Sequence, residues 1–408
     1  MGTSLRSRRS FIQFVGLNGL AAVGSCASAS SASAEKVGPY LTARAGARGG
    51  GLLRLDSNEN SSGPGPRVLA AIEDAFGEIN RYPFAASHEL ASAIANSLGI
   101  QPDQIELGAG SSEILDAAVS TFTAPDRALV TAAPTFEMPA NLAQHLGHPV
   151  IQVPVTDNLA LDLGQMAAQA TGAGLLYVCN PNNPTATLYG DSAIEQFIDD
   201  VLKHEPNATI LIDEAYHEYV ERADYRTAVP LALSNPRVIV SRTFSKIFGL
   251  AGMRIGYAVG QRQTLRTLSR RLDALRISRL STTAALAALG DVSRIAEQRA
   301  ANHDARAFTA RTFKDAGCEP VASEANFLMV NVHRDIRAFQ AACHERGVAV
   351  ARPFPPLMTY ARVTIGTVEE MKRAAAVFQE ALALPPSAAR LEPLRREVRR
   401  PNARDWAC

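Results

Sequence analysis

Short apolar runs alternate with longer helical patterns over most of the chain. The apolar runs that end in small or polar residues are "DQIELG", "RALVTAAP", "GLLYVCNPNNP", "NATILIDEAY" and "RVIVSRTFSK". Fully apolar strands separated by helices are typical of a parallel sheet that helices cover on both faces. Because ligands of such sheets bind beyond the carboxyl ends of the strands, the polar residues at those ends are the candidate functional residues.

The pattern changes near residue 291, where helices rich in alanine and arginine surround "EANFLMVNV" and "ARVTIGT". A length of 408 residues fits two domains. We therefore expect a large α/β domain over residues 67–290 and a smaller α+β domain over residues 291–384. Residues 35–66 are rich in Gly and Pro and predict an extended N-terminal arm. Residues 385–408 begin with two prolines and carry six arginines and three acidic residues, which is typical of a disordered basic tail.

The first residues predict an export signal. "SRRSFIQ" at residues 7–13 precedes the apolar stretch "FVGLNGLAAVG" and a run of small residues that ends in "SASA". This is the order of a secretory signal, here residues 1–34, and its apolar part is too short to remain in a membrane. Arg8 and Arg9 resemble the pair of twin-arginine signals, which implies passage through the twin-arginine translocase to a periplasmic or other extracytoplasmic location. Two alternatives are a chance arginine pair and a lipoprotein box at "VGSC", which would place a lipid anchor on Cys26.

Composition and charge narrow the function classes. The net charge of +1 gives no indication of nucleic-acid binding, and 47% hydrophobic and 20% charged residues are ordinary for a globular protein. The five cysteines form no CxxC pair and the eight histidines form no HExxH motif. His145 and His148 fit one helix face, but we interpret them as surface histidines and expect no metal.

One lysine stands out by its position. The chain has five lysines against thirty-six arginines, and Lys246 lies at a strand end among Thr243, Ser245 and glycines. An arginine stays charged, whereas a buried lysine amine near other cations becomes neutral and condenses with an aldehyde.

Two further residues fit the same crevice. Asp213 closes the strand "ATILID" thirty-three residues before Lys246, which leaves room for one helical crossover and the next strand. A carboxylate there can keep a pyridine nitrogen protonated, and the alternative is a buried acid that caps the next helix. Tyr216, three residues later, can present its hydroxyl to the same ring.

Three more motifs suit an anionic ligand. "GAGSS" at residues 108–112 is a glycine turn before a helix, which suits a phosphate, and Thr243, Ser245 and Arg254 can add donors. "NPNNPT" predicts a rigid turn from which Asn183 donates a hydrogen bond. Arg362 in "ARVTIGT" can bind a carboxylate through two hydrogen bonds, and the alternative there is a surface ion pair.

In this order, the motifs indicate pyridoxal 5'-phosphate, and the chain resembles the fold-type I aminotransferases of class I/II. Within them it is most similar to histidinol-phosphate aminotransferases, over roughly residues 52–380. The segments that carry the resemblance are "LDSNENSSGPGP", "RYPFAASHEL", "LGAGSSEILDAA", "PTFEMPA", "CNPNNPT", "IDEAYHEYV", "RTFSKIFGLAGMRIGY", "EANFLMVNV" and "RVTIGT".

The resemblance implies a role for each residue. Lys246 would join the cofactor aldehyde and move the proton, Asp213 would pair with the pyridinium nitrogen, and Phe136 would stack on the ring. Asn183 and Tyr216 would bind the ring oxygen. The residues implied to hold the phosphate are Ala109, Gly110, Ser111, Thr243, Ser245 and Arg254. Tyr82 would reach the phosphate of a neighbouring subunit, which implies a homodimer, and Arg362 would bind the substrate carboxylate.

The chain departs from the family pattern at three places. Ala186 replaces the glycine of "NPNNPTG", "PFAA" follows Tyr82, and "ARPFPPLMTYARVTIGT" replaces the usual loop before Arg362. We expect Arg352 in that loop to contact the substrate side chain. The resemblance implies transfer of an amino group between an L-amino acid, or a histidinol-phosphate-like amine, and a 2-oxo acid. A decarboxylase or lyase of the same fold, similar to threonine-phosphate decarboxylases, and a non-catalytic pyridoxal-phosphate-binding protein are the alternatives.

Overall fold

The computed structural model describes residues 51–385. The predicted signal at residues 1–34, with Arg8, Arg9 and Cys26, lies outside the described residues. So do the arm before residue 51 and the tail after residue 385.

The described part of the chain contains eleven strands and twelve α-helices, with short 3-10 helices between some of them. The strands are β1 (Leu53–Leu55), β2 (Ile105–Gly108), β3 (Ala128–Ala133), β4 (Val150–Pro154), β5 (Ala173–Cys179), β6 (Thr209–Asp213), β7 (Val238–Thr243), β8 (Gly256–Gly260), β9 (Phe327–Asn331), β10 (Val348–Val350) and β11 (Tyr360–Thr364). The helices are α1 (Pro66–Asp74), α2 (Phe84–Leu98), α3 (Ser111–Phe122), α4 (Met138–His145), α5 (Leu163–Ala168), α6 (Asp191–His204), α7 (Val229–Ser234), α8 (Arg262–Ser269), α9 (Arg279–Leu289), α10 (Val292–Asp315), α11 (Ile336–Glu345) and α12 (Val368–Ala383). None of these helices combines the length and the apolar character needed to cross a bilayer.

A seven-stranded sheet forms the centre of the fold, in the order β2-β8-β7-β6-β5-β3-β4. Six strands run parallel to one another, and β8 alone runs antiparallel to its neighbours β2 and β7. Every residue of β5, β6 and β7 is buried, as expected for strands that helices cover on both faces. The prediction of a mostly parallel sheet flanked by helices is confirmed.

A smaller α+β part, as predicted, takes most of its residues from the chain after the sheet. It contains the antiparallel pair β9–β11 and the parallel pair β1–β10. Its buried core takes side chains from residues 53–55 and from residues 305–381, whereas the largest core of the sheet takes side chains from residues 68–288. The arm is therefore not only a connection, because β1 adds a strand to the core of the smaller part. The domain boundaries at residues 66, 290 and 384 stay predictions.

Candidate active site

The carboxyl ends of β5, β6 and β7 open into a cavity of about 620 Å³. The turn that follows β2 closes one side of this cavity, since β2 runs parallel to those strands. Eleven of the predicted site residues line it: Ser111, Phe136, Asn183, Asp213, Tyr216, Thr243, Ser245, Lys246, Arg254, Arg352 and Arg362. Ala109 and Gly110 belong to the adjoining turn, and Tyr82 lies elsewhere on the surface with 75% of its area exposed.

Lys246 carries an amine that the protein makes easy to deprotonate. Burial lowers its pKa to about 8, with a further contribution from the positive charge of Arg362, while Asp213 acts in the opposite direction. The Nζ atom donates a hydrogen bond of 3.1 Å to the backbone carbonyl of Asn58. A neutral lysine amine is a nucleophile and a general base. Lys246 can therefore both attack an aldehyde and remove a proton.

Asp213 is a buried carboxylate held by two hydroxyl groups. Tyr177 donates to its Oδ2 and Ser241 donates to its Oδ1, each at 3.0 Å. Burial raises the pKa of Asp213 to about 6, and these two hydrogen bonds limit the rise. The carboxylate is thus fixed in orientation at the end of β6, and a protonated ring nitrogen is a partner that would favour its charged form.

Arg362 reaches the cavity from β11 and is 92% buried by area, with a relative exposure of 8%. It donates to Asn183 Oδ1 and to the backbone carbonyl of Asp56, each at 2.6 Å. Burial lowers its pKa to about 10, and its Nε finds no partner among the described residues. A buried guanidinium with a free donor fits a carboxylate ligand, so the surface ion pair considered above is not what the structure has.

Tyr216 contacts both Lys246 and the N-terminal arm. Its ring is 5.5 Å from Lys246 Nζ, and its hydroxyl accepts a hydrogen bond of 3.1 Å from Asn58 Nδ2. Burial raises the pKa of Tyr216, so the hydroxyl stays protonated and remains available as a donor.

The glycine turn after β2 is shaped for an anion. Gly110 has φ +81°, and a Cβ at this position would lie 2.3 Å from the guanidinium of Arg254. Gly110 is also the N-cap residue of α3 and supplies no capping side chain, which leaves donors of the first helical turn for a ligand. Two of the predicted donors already have partners. The N–H of Ala109 donates to Glu113 Oε2 at 2.7 Å, and the N–H of Gly110 donates to the carbonyl of Gly108 at 2.8 Å.

Hydroxyl groups and one arginine surround this turn. Thr243 donates to Ser245 at 2.9 Å, and the guanidinium of Arg254 lies 3.4 Å from Ser245 Oγ and 3.5 Å from Ser112 Oγ. Helix start, hydroxyls and guanidinium together form an anion site beside Lys246.

Sequence reasoning missed three residues of this site. Asn58 is 1% exposed and contacts both Lys246 and Tyr216 from the arm. Tyr177 and Ser241 hold Asp213. Each is a hydroxyl-bearing residue that directly follows an apolar run of its strand, which is the signal that points to them.

The residues present fit pyridoxal 5'-phosphate. The anion turn suits its phosphate, the buried carboxylate of Asp213 suits a pyridinium nitrogen, and the amine of Lys246 suits an aldehyde. Phe136, which is half-buried at the same cavity, offers a ring face.

Comparisons with known proteins agree with this geometry. The family described as aminotransferase class I and II matches residues 51–378. The chain is 35% identical to a histidinol-phosphate aminotransferase of Moorella thermoacetica over 335 residues, which cover 81% of this chain and 86% of the relative. It is 34% identical to an aromatic amino acid aminotransferase of Thermobifida fusca over 306 residues, which cover 75% of this chain and 84% of that one.

A solved structure supports the same assignment. The crystal structure of histidinol-phosphate aminotransferase from Sinorhizobium meliloti in complex with pyridoxal-5'-phosphate matches with a TM-score of 0.77 and 28% identity. The match covers 81% of this chain and 90% of that one. The chain therefore belongs to the aminotransferase class I and II family, has its fold-type I architecture, and is a pyridoxal phosphate-dependent transaminase.

Proposed function

We propose that this transaminase moves an amino group between an L-amino acid, or a histidinol-phosphate-like amine, and a 2-oxo acid, with Lys246 as the proton carrier. The observation that carries the proposal is the arrangement of Lys246, Asp213 and Arg362 around one cavity. Bound pyridoxal phosphate supplies an electron sink for the carbon that loses its proton.

Each of these side chains then has a defined task. Arg362, oriented by Asn183, binds the carboxylate of the substrate and thereby places its α-carbon. Lys246, with its lowered pKa, removes the α-proton of the substrate. It later donates a proton back, which allows the transfer of the amino group to be completed. Asp213, held by its two hydroxyl donors, keeps the ring nitrogen protonated.

The names of the relatives and the lining of the cavity support one class of donor. Their names specify histidinol phosphate and aromatic amino acids, which are amines with a planar side chain. Arg352 and Phe354 line the cavity beside Arg362, and they suit a planar side chain with a polar or anionic end. We infer that Arg352 contacts the side chain of the substrate.

Replacement of Lys246 tests the function. Lys246→Ala should abolish steady-state transamination, because neither nucleophile nor base remains, while cofactor still binds through the anion turn and Asp213. The measurement is product formation with a panel of L-amino acids, together with the absorbance of bound cofactor. Lys203→Ala is the matched control, since Lys203 pairs with Asp200 on the exposed face of α6. Full turnover in the Lys246→Ala protein would overturn the assignment.

We infer a homodimer from the surface around Tyr82. Phe76, Ile79, Tyr82 and Phe84 are exposed by 50%, 62%, 75% and 54%. Large apolar side chains clustered on a soluble protein's surface mark an interaction site, and a second copy of the chain that covers them would bring Tyr82 to its neighbour's cofactor phosphate.

We infer an extracytoplasmic location from the paired arginines of the first residues. Replacement of Arg8 and Arg9 by lysine together should retain the protein in the cytoplasm, because the translocase reads the pair. Fractionation of cells that express each form gives the answer. Equal export of both forms would contradict the proposal.

A further inference from the structure

Glu137 and Arg352 come from distant parts of the chain and form an ion pair in the lining of the cavity. Glu137 is the N-cap residue of α4, but its side chain makes no cap hydrogen bond. Its Oε2 lies 2.5 Å from Nη2 of Arg352, which follows β10. Both residues line the cavity. The carboxylate is thus directed away from its own helix and toward a cation of the substrate-binding region.

Glu137 can be displaced from this ion pair by another anion. The side chain of Arg352 is 46% exposed and that of Glu137 is 42% exposed. Exposed ion pairs are weak, because water competes for both charges and two long side chains must be ordered. An anion on a ligand can therefore replace Glu137 on Arg352 at a small cost in free energy.

The position of Arg352 relative to Arg362 sets the kind of ligand. The guanidinium carbons of the two arginines lie 4.6 and 4.9 Å from the ring centroid of Phe354, so their separation is at most the sum of these two distances. Because both arginines line the same cavity, a short molecule with an anionic group at each end has the length to bridge the two guanidinium groups. Glu137 competes with only one of those ends.

We propose that Glu137 is a specificity-determining residue, an internal carboxylate that occupies Arg352 until a substrate with a distal anion displaces it. The inference rests on the proposed function, in which an amino donor and an oxo-acid acceptor use one cavity in turn. With Glu137 on Arg352, the cavity accepts a donor whose neutral, planar side chain lies beside Phe354. With Glu137 displaced, it accepts a substrate that ends in a carboxylate or a phosphate, either a 2-oxo acid or the histidinol-phosphate-like amine of the proposed function.

Equilibrium binding to the cofactor-loaded protein tests the proposal without turnover. The probes are glutarate, 3-phosphonopropanoate and the monoanion pentanoate, measured by calorimetry at low ionic strength. Glu137→Gln should bind at least one dianion about two- to fivefold more tightly than the wild type, with pentanoate unchanged. The dianion whose affinity increases more identifies the preferred distal group. Arg352→Gln should bind that dianion roughly tenfold or more weakly, again with pentanoate unchanged.

Glu319→Gln is the matched control, because it removes the same charge from an exposed ion pair, with Lys314 at 3.1 Å, outside the cavity lining. It should bind all three probes as the wild type does. The proposal is wrong if Glu137→Gln binds neither dianion more tightly than the wild type does. It is also wrong if Glu137→Gln increases the affinity for pentanoate equally, or if Glu319→Gln increases the affinity for the dianions equally. The absorbance change of the wild type with L-amino acids is recorded separately. Its absence would overturn the proposed function, whereas the binding differences would still decide the role of Glu137.

Discussion

His217 is a residue whose charge is suppressed by its surroundings. It follows Tyr216, its Nδ1 lies 3.0 Å from the hydroxyl of Tyr225, and it is 3.8 Å from Glu214 Oε2. Burial and the positive charges of Arg242 and Arg299 together lower the pKa of His217 to about 4, while the charge of Glu214 acts in the opposite direction.

This lowered pKa predicts a loss of stability in mild acid. Between pH 6.5 and 4 the unfolded chain binds a proton at this position and the folded protein does not, so the free energy of unfolding falls as the pH falls. A shift of this size corresponds to about 3 kcal/mol. His217→Gln removes that dependence and retains a hydrogen-bonding partner for the hydroxyl of Tyr225. Urea unfolding of both proteins at pH 7 and pH 4.5 measures the difference.

A comparison of the wild type with His217→Gln isolates the contribution of His217 to the pH dependence of stability. Burial also raises the pKa values of Asp213, to about 6, and of Glu218, to about 7. These two changes have the opposite effect on stability, but both proteins share them. His303→Gln, on the exposed face of α10, should leave the pH dependence as in the wild type. If the free energy of unfolding falls equally in the wild type and in His217→Gln, His217 does not contribute to the acid sensitivity.

Among the elements, β8 fixes the position of the anion turn. A Cβ on Gly256, its first residue, would lie 2.4 Å from Ser111 N and 2.7 Å from the carbonyl carbon of Gly110. Both contacts are backbone atoms of the turn, so the turn itself would have to move. At Gly260, the last residue of the same strand, the nearest atom is Leu265 Cδ2 at 3.4 Å, an ordinary contact.

This contrast predicts different effects for one added methyl group. Gly256→Ala should weaken cofactor binding about tenfold or more, equivalent to about 1.4 kcal/mol, and lower the free energy of unfolding by about 1–3 kcal/mol. Gly260→Ala should change neither quantity appreciably. Titration of the apoprotein with pyridoxal phosphate, followed by absorbance, compares the two. Cofactor binding that is equally tight in both variants would contradict the role given to β8.

The elements also show what the sequence could predict. Lys246, Asp213 and the glycine turn follow local patterns: a polar residue after an apolar strand, or glycines before a helix. The antiparallel direction of β8 depends on its pairing with β2, about 150 residues earlier, which no local pattern records. For the same reason β1 was expected only as part of an arm.

Single side chains within the elements show the same limit. Tyr177 and Ser241 belong to strands on either side of β6, and their bonds to Asp213 exist only once the three strands pair. The Glu137–Arg352 contact joins residues 215 positions apart. The residue types predicted the chemistry of the site. The contacts between these residues could be identified only from the three-dimensional structure.

At the scale of the whole molecule, the apolar surface around Tyr82 predicts the oligomeric state. Phe76→Glu together with Ile79→Glu should yield monomers, because two buried charges without partners oppose association. Sedimentation equilibrium at micromolar concentration measures this. Leu146→Glu, at a separate site with 41% exposure, serves as the control and should remain a dimer. A dimeric double variant would place the interface elsewhere.

The contact between Asn58 and Thr364 has a consequence for synthesis. The two residues share a hydrogen bond of 2.8 Å although 306 positions separate them. At the pace of a ribosome, roughly 15–60 s pass between the translation of one and the other. A nascent chain that already carries Lys246 and Asp213 therefore still lacks Arg362 and the anchor of Asn58. Recognition of the substrate carboxylate is among the last properties that the growing polypeptide acquires.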